Sequence, residues 1–485
     1  MPTPTILLKA EERAFFGMLE QAAFSNPFGD ERGDIDRRIV EAPESWSRPR
    51  LLEELVGSVA TRVEVLERAG RSDIRRYGDS DAKTVETALL FHLFHQHMDD
   101  FDALIREQAA EADSIVVAPF TRLLYERMLS LGFSPDNAAR YMALFYQMRR
   151  AFFFICSSLI GETRSMQRVR ERLWTNIFTG RVDWYDAFMC DRMEDFSTLI
   201  LGGTGSGKGV AAAAIGRSGF IPYDASTHRF KENFVTAFVA ANLSEFSESL
   251  IESELFGHCK GAFTGAVTPH TGVFGRGRAC GAIFLDEIGE VNLSLQTKLL
   301  RVMQERVFTP VGSHVPQRFS GRIIAATNQP LAQLRSEGRF RDDVYYRLCS
   351  DEITMPSLRM RLDEAPDELE QQVAHTLTRL CGERSGMALA PVMASLTRTV
   401  PADYAWPGNV REMEQAVRRI LLGGAYTPQP LAAAPGELTA RTDLTARALV
   451  KEYCRRLYDR FGSYEEVARR ADLDWRTVKK HLQDA

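Results

Sequence analysis

The sequence predicts an α/β domain built on a parallel sheet, set between a mostly helical N-terminal region and a small all-helical tail. Three observations predict it. Between about 155 and 355, short apolar runs at Thr198–Leu201, 237–241, 282–285 and 322–326 end in Gly, Asp or Asn and alternate with helical stretches. Strands apolar on both faces belong to a parallel sheet covered on both sides. A glycine-rich turn, 202–208, joins the first run to an alanine-rich helix at 210–215. On either side of this region apolar residues recur at three- and four-residue spacing, as over 51–68 and 84–105, which predicts helices.

The organisation that follows is a helical domain over 1–154, an α/β core over 155–355, a helical lid over 356–425, a Pro- and Ala-rich linker over 426–440 and a helical tail over 441–485. At 485 residues the chain exceeds one core. Residues 1–150 carry 19 Lys+Arg against 25 Asp+Glu, an acidic balance that argues against gripping DNA. The tail has 11 against 8 and is weakly basic. Seven dispersed cysteines without a CxxC pair suggest reduced thiols, not a disulfide framework or zinc site. The N-terminus lacks a basic flank followed by a long apolar run, and apolar runs of about ten residues are half of what a bilayer span needs. The expected location is cytoplasmic, without a membrane partner.

Gly202, Gly203, Thr204, Gly205, Ser206, Gly207 and Lys208 fit the first seven positions of a P-loop, between a strand and a helix as that motif requires. Glycines allow successive N–H groups to face one anion, and the helix N-terminus adds a favourable dipole. Lys208 is expected on the β/γ-phosphates of a nucleotide. The usual Ser/Thr after the lysine is Gly209, so no hydroxyl at that position is available to Mg2+.

The run 282–285 ends in Asp286 and Glu287. Ligands of open α/β sheets sit at the carboxyl ends of strands. Asp286 is expected to hold Mg2+ through water, and Glu287 to polarise the attacking water. Alone, such a pair is as readily a strand-end cap; about eighty residues after a P-loop it gains meaning. Another buried run ends in Thr327 and Asn328, which suit γ-phosphate sensing or a simple turn. Arg341 and Arg347 follow. An arginine supplied across a subunit boundary stabilises phosphoryl-transfer charge, although a solvated or ion-paired arginine is the default for either.

Residues 252–266 end in Gly261, Ala262, Phe263, Thr264, Gly265 and Ala266. Two glycine hinges flank a large apolar residue and a hydroxyl, a composition that asks for a partner surface. This GAFTGA block resembles the hallmark of sigma-54-dependent activators, the bacterial enhancer-binding proteins of the AAA+ class. The resemblance runs from about 157 to 425. It includes LIGETRSMQRV at 159–169, FLDEIGE at 284–290, QTKLLRV at 296–302, AATN at 325–328, FRDDVYYRL at 340–348, PSLR at 356–359 and WPGNVRE at 406–412.

The resemblance implies a ring-forming ATPase, usually a hexamer, that uses ATP and Mg2+ and remodels sigma-54 RNA polymerase at a promoter. It implies phosphate binding by Lys208, hydrolysis by Asp286 and Glu287, and trans-acting roles for Arg341 and Arg347. Asn242 aligns with a residue that exchanges hydrogen bonds with the catalytic glutamate, and Arg411 with the lid arginine that contacts nucleotide. Two departures stand out. Gly209 replaces a common Glu, and extra segments lie at 180–196 and 220–233. A DNA-binding regulator with a decayed ATPase, hinted at by Gly209, is the alternative; a AAA+ remodeller of another protein is a further one.

In the tail, 445–460 suits an amphipathic helix, Ser463 with Glu466 suits a capping box opening a second helix to about 471, and 475–482 suits a recognition helix after a short turn. This resembles the Fis-type helix-turn-helix of the same activators. Arg476, Thr477, Lys479 and Lys480 are the expected contacts to double-stranded DNA. The N-terminal region carries no such resemblance and has no early strand ending in paired acids, which disfavours a receiver domain. Its one odd feature is His92, His95 and His97. On a single helix His92, His95 and Asp99 share a face that suits either a metal or an ordinary solvated surface.

Overall fold

Helices occupy the chain from the start of the described residues, 6–428 and 445–483 of a computed structural model, to the first strand. They are α1 (Ala10–Phe24), α2 (Asp30–Val40), α3 (Arg48–Arg68), α4 (Asp79–Gln96), α5 (Met98–Ala110), α6 (Pro119–Ser130), α7 (Pro135–Ser158), α8 (Arg164–Phe178) and the single turn α9 (Val182–Trp184). The helix expected over 84–105 is two. His97, at φ −108° and ψ 16°, breaks the chain between α4 and α5, and Asp99 and Asp100 supply the acidic first turn of the new helix. The break removes the shared face drawn for His92, His95 and Asp99.

The α/β core follows with β1 (Thr198–Leu201), α10 (Lys208–Gly216), β2 (Tyr223–Asp224), β3 (Arg229–Phe230), α11 (Phe234–Ala237), β4 (Phe238–Asn242), α12 (Ile251–Phe256), β5 (Ala282–Asp286), α13 (Leu293–Glu305), β6 (Val307–Phe308), β7 (Gln317–Arg318), β8 (Arg322–Thr327), α14 (Leu331–Ser336), α15 (Asp342–Leu348) and β9 (Asp351–Thr354). The main sheet has order β4-β5-β8-β1-β9 and is parallel throughout. Alternate residues of β8 enter different cores: Ile324 and Ala326 join the apolar cluster of α7, α8 and α10, while Ile323 and Ala325 join that of α13 and α15. The lid is α16 (Leu358–Glu364), α17 (Glu368–Cys381), α18 (Ser385–Thr399) and α19 (Asn409–Leu421), around Leu377, Leu396, Met413 and Val417.

The expected boundary at 154 falls inside α7, and the apolar core crosses it without a gap. One cluster runs from Phe16 and Leu19 through Met142 and Ile155 to Ile200, Ile215 and Phe284. The two extra segments explain the continuity. Segment 180–196 brings in the buried Tyr185, whose hydroxyl accepts from Gln147 of α7 at 2.7 Å. Segment 220–233 forms the β2–β3 hairpin. Its Phe230 stacks on Tyr146 with centroids 4.0 Å apart. Tyr223 donates to Thr121 O, and Thr121 donates to His228 O. Asn233 reaches the carbonyls of Glu111, Ala112 and Ser114. These segments are the seats of the N-terminal helices on the core.

By its internal contacts the chain divides into two units, 1–426 and 427–485, each described by itself. Tyr426, expected to open the linker, is buried against Trp406 and donates to Glu412, so the lid claims it. Residues 429–440 of the expected linker lie outside the described residues. The tail unit is α20 (Ala446–Phe461), α21 (Tyr464–Ala471) and α22 (Trp475–Gln483), around Cys454, Val467 and Val478. Ser463 Oγ accepts from Glu466 N–H as expected. The reciprocal half of the capping box gives way to pairs of the Glu466 carboxylate with Arg469 and Arg470. No helix among the described residues is long and apolar enough to cross a membrane.

Candidate functional site

The turn between β1 and α10 bends through left-handed backbone at Gly205 (φ 73°) and Gly207 (φ 98°), the latter capping α10. Space forbids a side chain at Gly205 as well: a Cβ there would lie 2.3 Å from Gly408 O. Lys208 opens α10 and is buried. Its Nζ donates to Gly202 O at 3.0 Å and lies 3.8 Å from Glu287 Oε1. A cleft of about 430 Å³ opens here. The P-loop from Thr204 through Gly209 lines it, together with Asp286, Glu287, Arg411, Glu414 and the segment Ser158, Leu159 and Ile160.

Asp286 ends β5 and Glu287 follows it, both half-buried at the carboxyl edge of the sheet. Asp286 Oδ1 accepts from Glu287 N–H at 3.0 Å. Glu287 holds left-handed backbone, φ 57° and ψ 46°, a conformation costing roughly 1 kcal/mol in a residue with a Cβ. That turn aims its carboxylate back at the cleft, where Oε2 accepts from Asn328 N–H at 3.1 Å. Asn328 Nδ2 donates to Thr204 Oγ1 at 2.9 Å, tying the end of β8 to the P-loop. Thr327, buried at the last position of β8, turns its hydroxyl to Gln329 N–H.

The cleft suits a nucleoside triphosphate with its metal. It offers a turn of N–H groups that added side chains would block, a buried ammonium, and two carboxylates facing it. Ser206 Oγ is buried in the P-loop without a partner. Gly209 stands at the rim with room for a side chain, its nearest would-be neighbour being Phe284 Cε1 at 3.8 Å.

Other expected residues lie elsewhere in this single chain. Arg341 pairs with Asp343 at 2.8 Å, and Arg347 donates twice to Met303 O; neither lines the cleft. Asn242, register partner of Asp286, donates to Glu245 and accepts from Ser244 N–H rather than meeting Glu287. The GAFTGA loop stands on a stem in which His258 and His270 exchange backbone hydrogen bonds. Gly261 (φ 82°) and Gly265 (φ 103°) give the loop its left-handed corners. Phe263 is 39% exposed, and its ring meets that of His258 edge-on at 5.0 Å. In the tail, Arg476, Thr477, Lys479 and Lys480 are exposed while Val478 between them is buried.

The histidines of the N-terminal region do not converge. His95 Nδ1 donates to Phe91 O, His97 Nδ1 meets Asp100, and no group of three metal-ligating side chains forms among the described residues. Two residues that sequence reasoning passed over matter here. His258 braces the loop stem through Ser253 and Thr268 O. Asn409, inside the WPGNVRE block, touches the P-loop directly: its Nδ2 donates to Thr204 O. A polar residue locked between a glycine and an apolar helix start was the available signal for the second.

Residues 187–354 match the family model described as Sigma-54 interaction domain. Among similar curated proteins, the DNA-binding transcriptional regulator NtrC of Azospirillum brasilense is 40% identical over 230 residues, which is 47% of this chain and 43% of that protein. NtrC of Escherichia coli is 38% identical over 246 residues, 51% of this chain and 48% of that one. The C4-dicarboxylate transport transcriptional regulatory protein DctD of Pseudomonas aeruginosa is 36% identical over 314 residues, 64% and 61%. The chain thus spans about half the length of the curated relatives it matches. A crystal structure of NtrX from Brucella abortus in complex with ATP superposes over 72% of this chain and 76% of that one, at 22% identity and a TM-score of 0.42.

Proposed function

We propose, from the premise that residues 187–354 are a Sigma-54 interaction domain, that this chain is an ATP-hydrolysing activator of sigma-54 RNA polymerase. The observation that carries the reading is the meeting of Lys208, Asp286, Glu287 and Arg411 in one cleft at the carboxyl edge of a parallel sheet. ATP is the substrate. The N–H groups of 203–208 and the Lys208 ammonium hold the β- and γ-phosphates; its present bonds to Gly202 and Gly203 carbonyls are what phosphate oxygens replace. Asp286 is the residue that would hold Mg2+, through water, and the metal would supply neutralisation of phosphate charge. Glu287 takes a proton from the attacking water as the bond to the γ-phosphorus forms and ADP leaves. Arg411 approaches the nucleotide from the lid.

The remaining assignments belong to the assembled ring, a homo-oligomer and by family a hexamer. Arg341 and Arg347, outside their own cleft, serve the cleft of a neighbouring copy. Asn242 exchanges its bond to Glu245 for one to Glu287 during the cycle. Phe263 and Thr264, carried on glycine corners, contact sigma-54 and transmit the hydrolysis step to promoter opening. Arg476, Thr477, Lys479 and Lys480 hold double-stranded DNA upstream. In a purified system Thr264→Ala should retain ATP hydrolysis and lose open-complex formation by sigma-54 polymerase. Promoter opening at the unsubstituted rate would remove the loop from the mechanism. An inert cleft in the unsubstituted chain would favour a DNA-binding regulator without motor activity.

A further inference from the structure

We infer that Asn409 is a positioning residue through which the lid sets the catalytic glutamate, by a line of hydrogen bonds running Asn409, Thr204, Asn328, Glu287. The inference rests on the ATP-hydrolysing reading above and deepens it. Asn409 is the first residue of α19 and is 5% exposed. Its backbone is left-handed, φ 50°, which disfavours most side chains and which asparagine tolerates better than most. Both ends of its amide are used. Oδ1 accepts from Leu358 N–H at 2.8 Å, where the lid begins, and Nδ2 donates to Thr204 O at 2.9 Å, in the P-loop. One side chain therefore joins the first and last helices of the lid to the phosphate turn.

The line continues from Thr204. Its carbonyl answers to the lid, and its hydroxyl accepts from Asn328 Nδ2. Asn328 in turn donates its N–H to Glu287 Oε2. Glu287 sits in left-handed backbone, so its carboxylate direction depends on such external ties. The fit around Asn409 is close. A Cβ at Gly203 would lie 3.0 Å from its Nδ2, and one at Gly205 would strike Gly408 O and Arg411 Cβ. From the lid side, Glu412 fixes the same turn by accepting from Gly408 N–H and from the Tyr404 and Tyr426 hydroxyls. A lid that shifts must therefore carry Thr204 with it, and through Asn328 it moves the base.

The test uses the full chain with Asn409→Gly and Asn409→Asp. Glycine accepts the left-handed backbone and removes both side-chain bonds. Aspartate keeps the acceptor for Leu358 N–H, loses the donor to Thr204 O and sets a carboxylate oxygen against that carbonyl in its place. Both should lower kcat for ATP by about tenfold or more, the scale of a misplaced catalytic group. Affinity for a fluorescent ATP analogue should stay within about threefold, because the cradle and Lys208 remain. Full kcat in both variants overturns the inference. So does full kcat in Asn409→Asp alone, which would leave only the Leu358 bond in use. A loss confined to affinity overturns it as well, by making Asn409 part of binding alone. Should Asn409→Gly fail to fold, Asn409→Asp decides the matter. An unsubstituted chain that hydrolyses no ATP overturns the parent reading and this one together, whereas an active parent with fast variants sinks only the relay.

Discussion

The two ends of α10 meet opposite chemistry. At its N-terminus the P-loop presents a buried ammonium and a turn of N–H groups to an open cleft. At its C-terminus the carbonyls of Arg217, Ser218 and Gly219 are taken up inside the protein: Arg150 donates to the first and third, and Gln147 to the second. Arg150, on α7, is fully buried, its guanidinium over the Tyr146 ring at 4.4 Å, and burial pushes its pKa down to about 10. The same helix therefore faces the open cleft at one end and holds the N-terminal helices at the other. The N–H groups of the P-loop face the cleft, whereas the three carbonyls that follow the other end of the helix find their donors within the fold.

The sharpest break of that comparison comes at the two lysine and arginine positions. Lys208→Ala should reduce ATP hydrolysis by about a hundredfold or more, the scale of losing one preorganised charge at phosphoryl transfer, with little change in the unfolding midpoint. Arg150→Met should do the reverse. Two buried carbonyls lose their donors, at about 2–4 kcal/mol of stability in denaturant unfolding, while the KM for ATP stays near its parent value. If Arg150→Met stops hydrolysis without loss of stability, the two ends are not separate and α7 acts on the cleft.

A smaller effect tests how firmly the N-terminal helices are set. His95 donates Nδ1 to Phe91 O and lies against the rings of Phe91 and Phe94. Burial, aided by the charges of Arg32 and Arg149, takes its pKa from 6.5 to about 4. The folded protein holds the ring neutral where the unfolded chain binds a proton. Stability from this residue is complete above pH 6.5 and falls as the pH drops toward 4, by about 3 kcal/mol. His95→Phe should flatten the pH dependence of unfolding over that interval. An unchanged slope would place the proton acceptor elsewhere.

The cleft and the exposed loop were legible because their residues come as strings: a glycine run ending in Lys208 and an apolar strand followed by Asp286 and Glu287 for the cleft, and a glycine-cornered run around Phe263 for the loop. Each string needs its neighbours in sequence, so sequence reveals it. The strands at 198–201, 282–286 and 322–327 fell where apolar runs placed them, within a residue. What remained hidden depends on partners far along the chain. Arg150 lies in an ordinary helix of apolar and basic residues, and its acceptors are more than 65 positions away. Segments 180–196 and 220–233 looked like unexplained additions because their contacts are with α6 and α7. Asn409 sat within a quoted block, but its bond spans 205 positions to Thr204. The break at His97 was masked by apolar spacing that resumes in phase beyond it.

The mildest substitution bears on the one position where the P-loop departs from pattern. Gly209 is the second residue of α10, exposed, with only Phe284 Cε1 within 4 Å of a would-be Cβ. Its backbone carries no left-handed strain, so nothing in the local fold demands glycine. Gly209→Ser should raise stability by about 0.5 kcal/mol through helix propensity alone. It also returns a hydroxyl to the place where many P-loops offer one to Mg2+. If Asp286 already holds the metal through water, hydrolysis should change by less than about threefold, since the added ligand duplicates an existing role. A gain of a hundredfold would mean that the natural chain carries a crippled cleft and that its resting function is closer to DNA binding than to motor action. The comparison of helix ends would then need to be redrawn, with only the buried end of α10 fully formed.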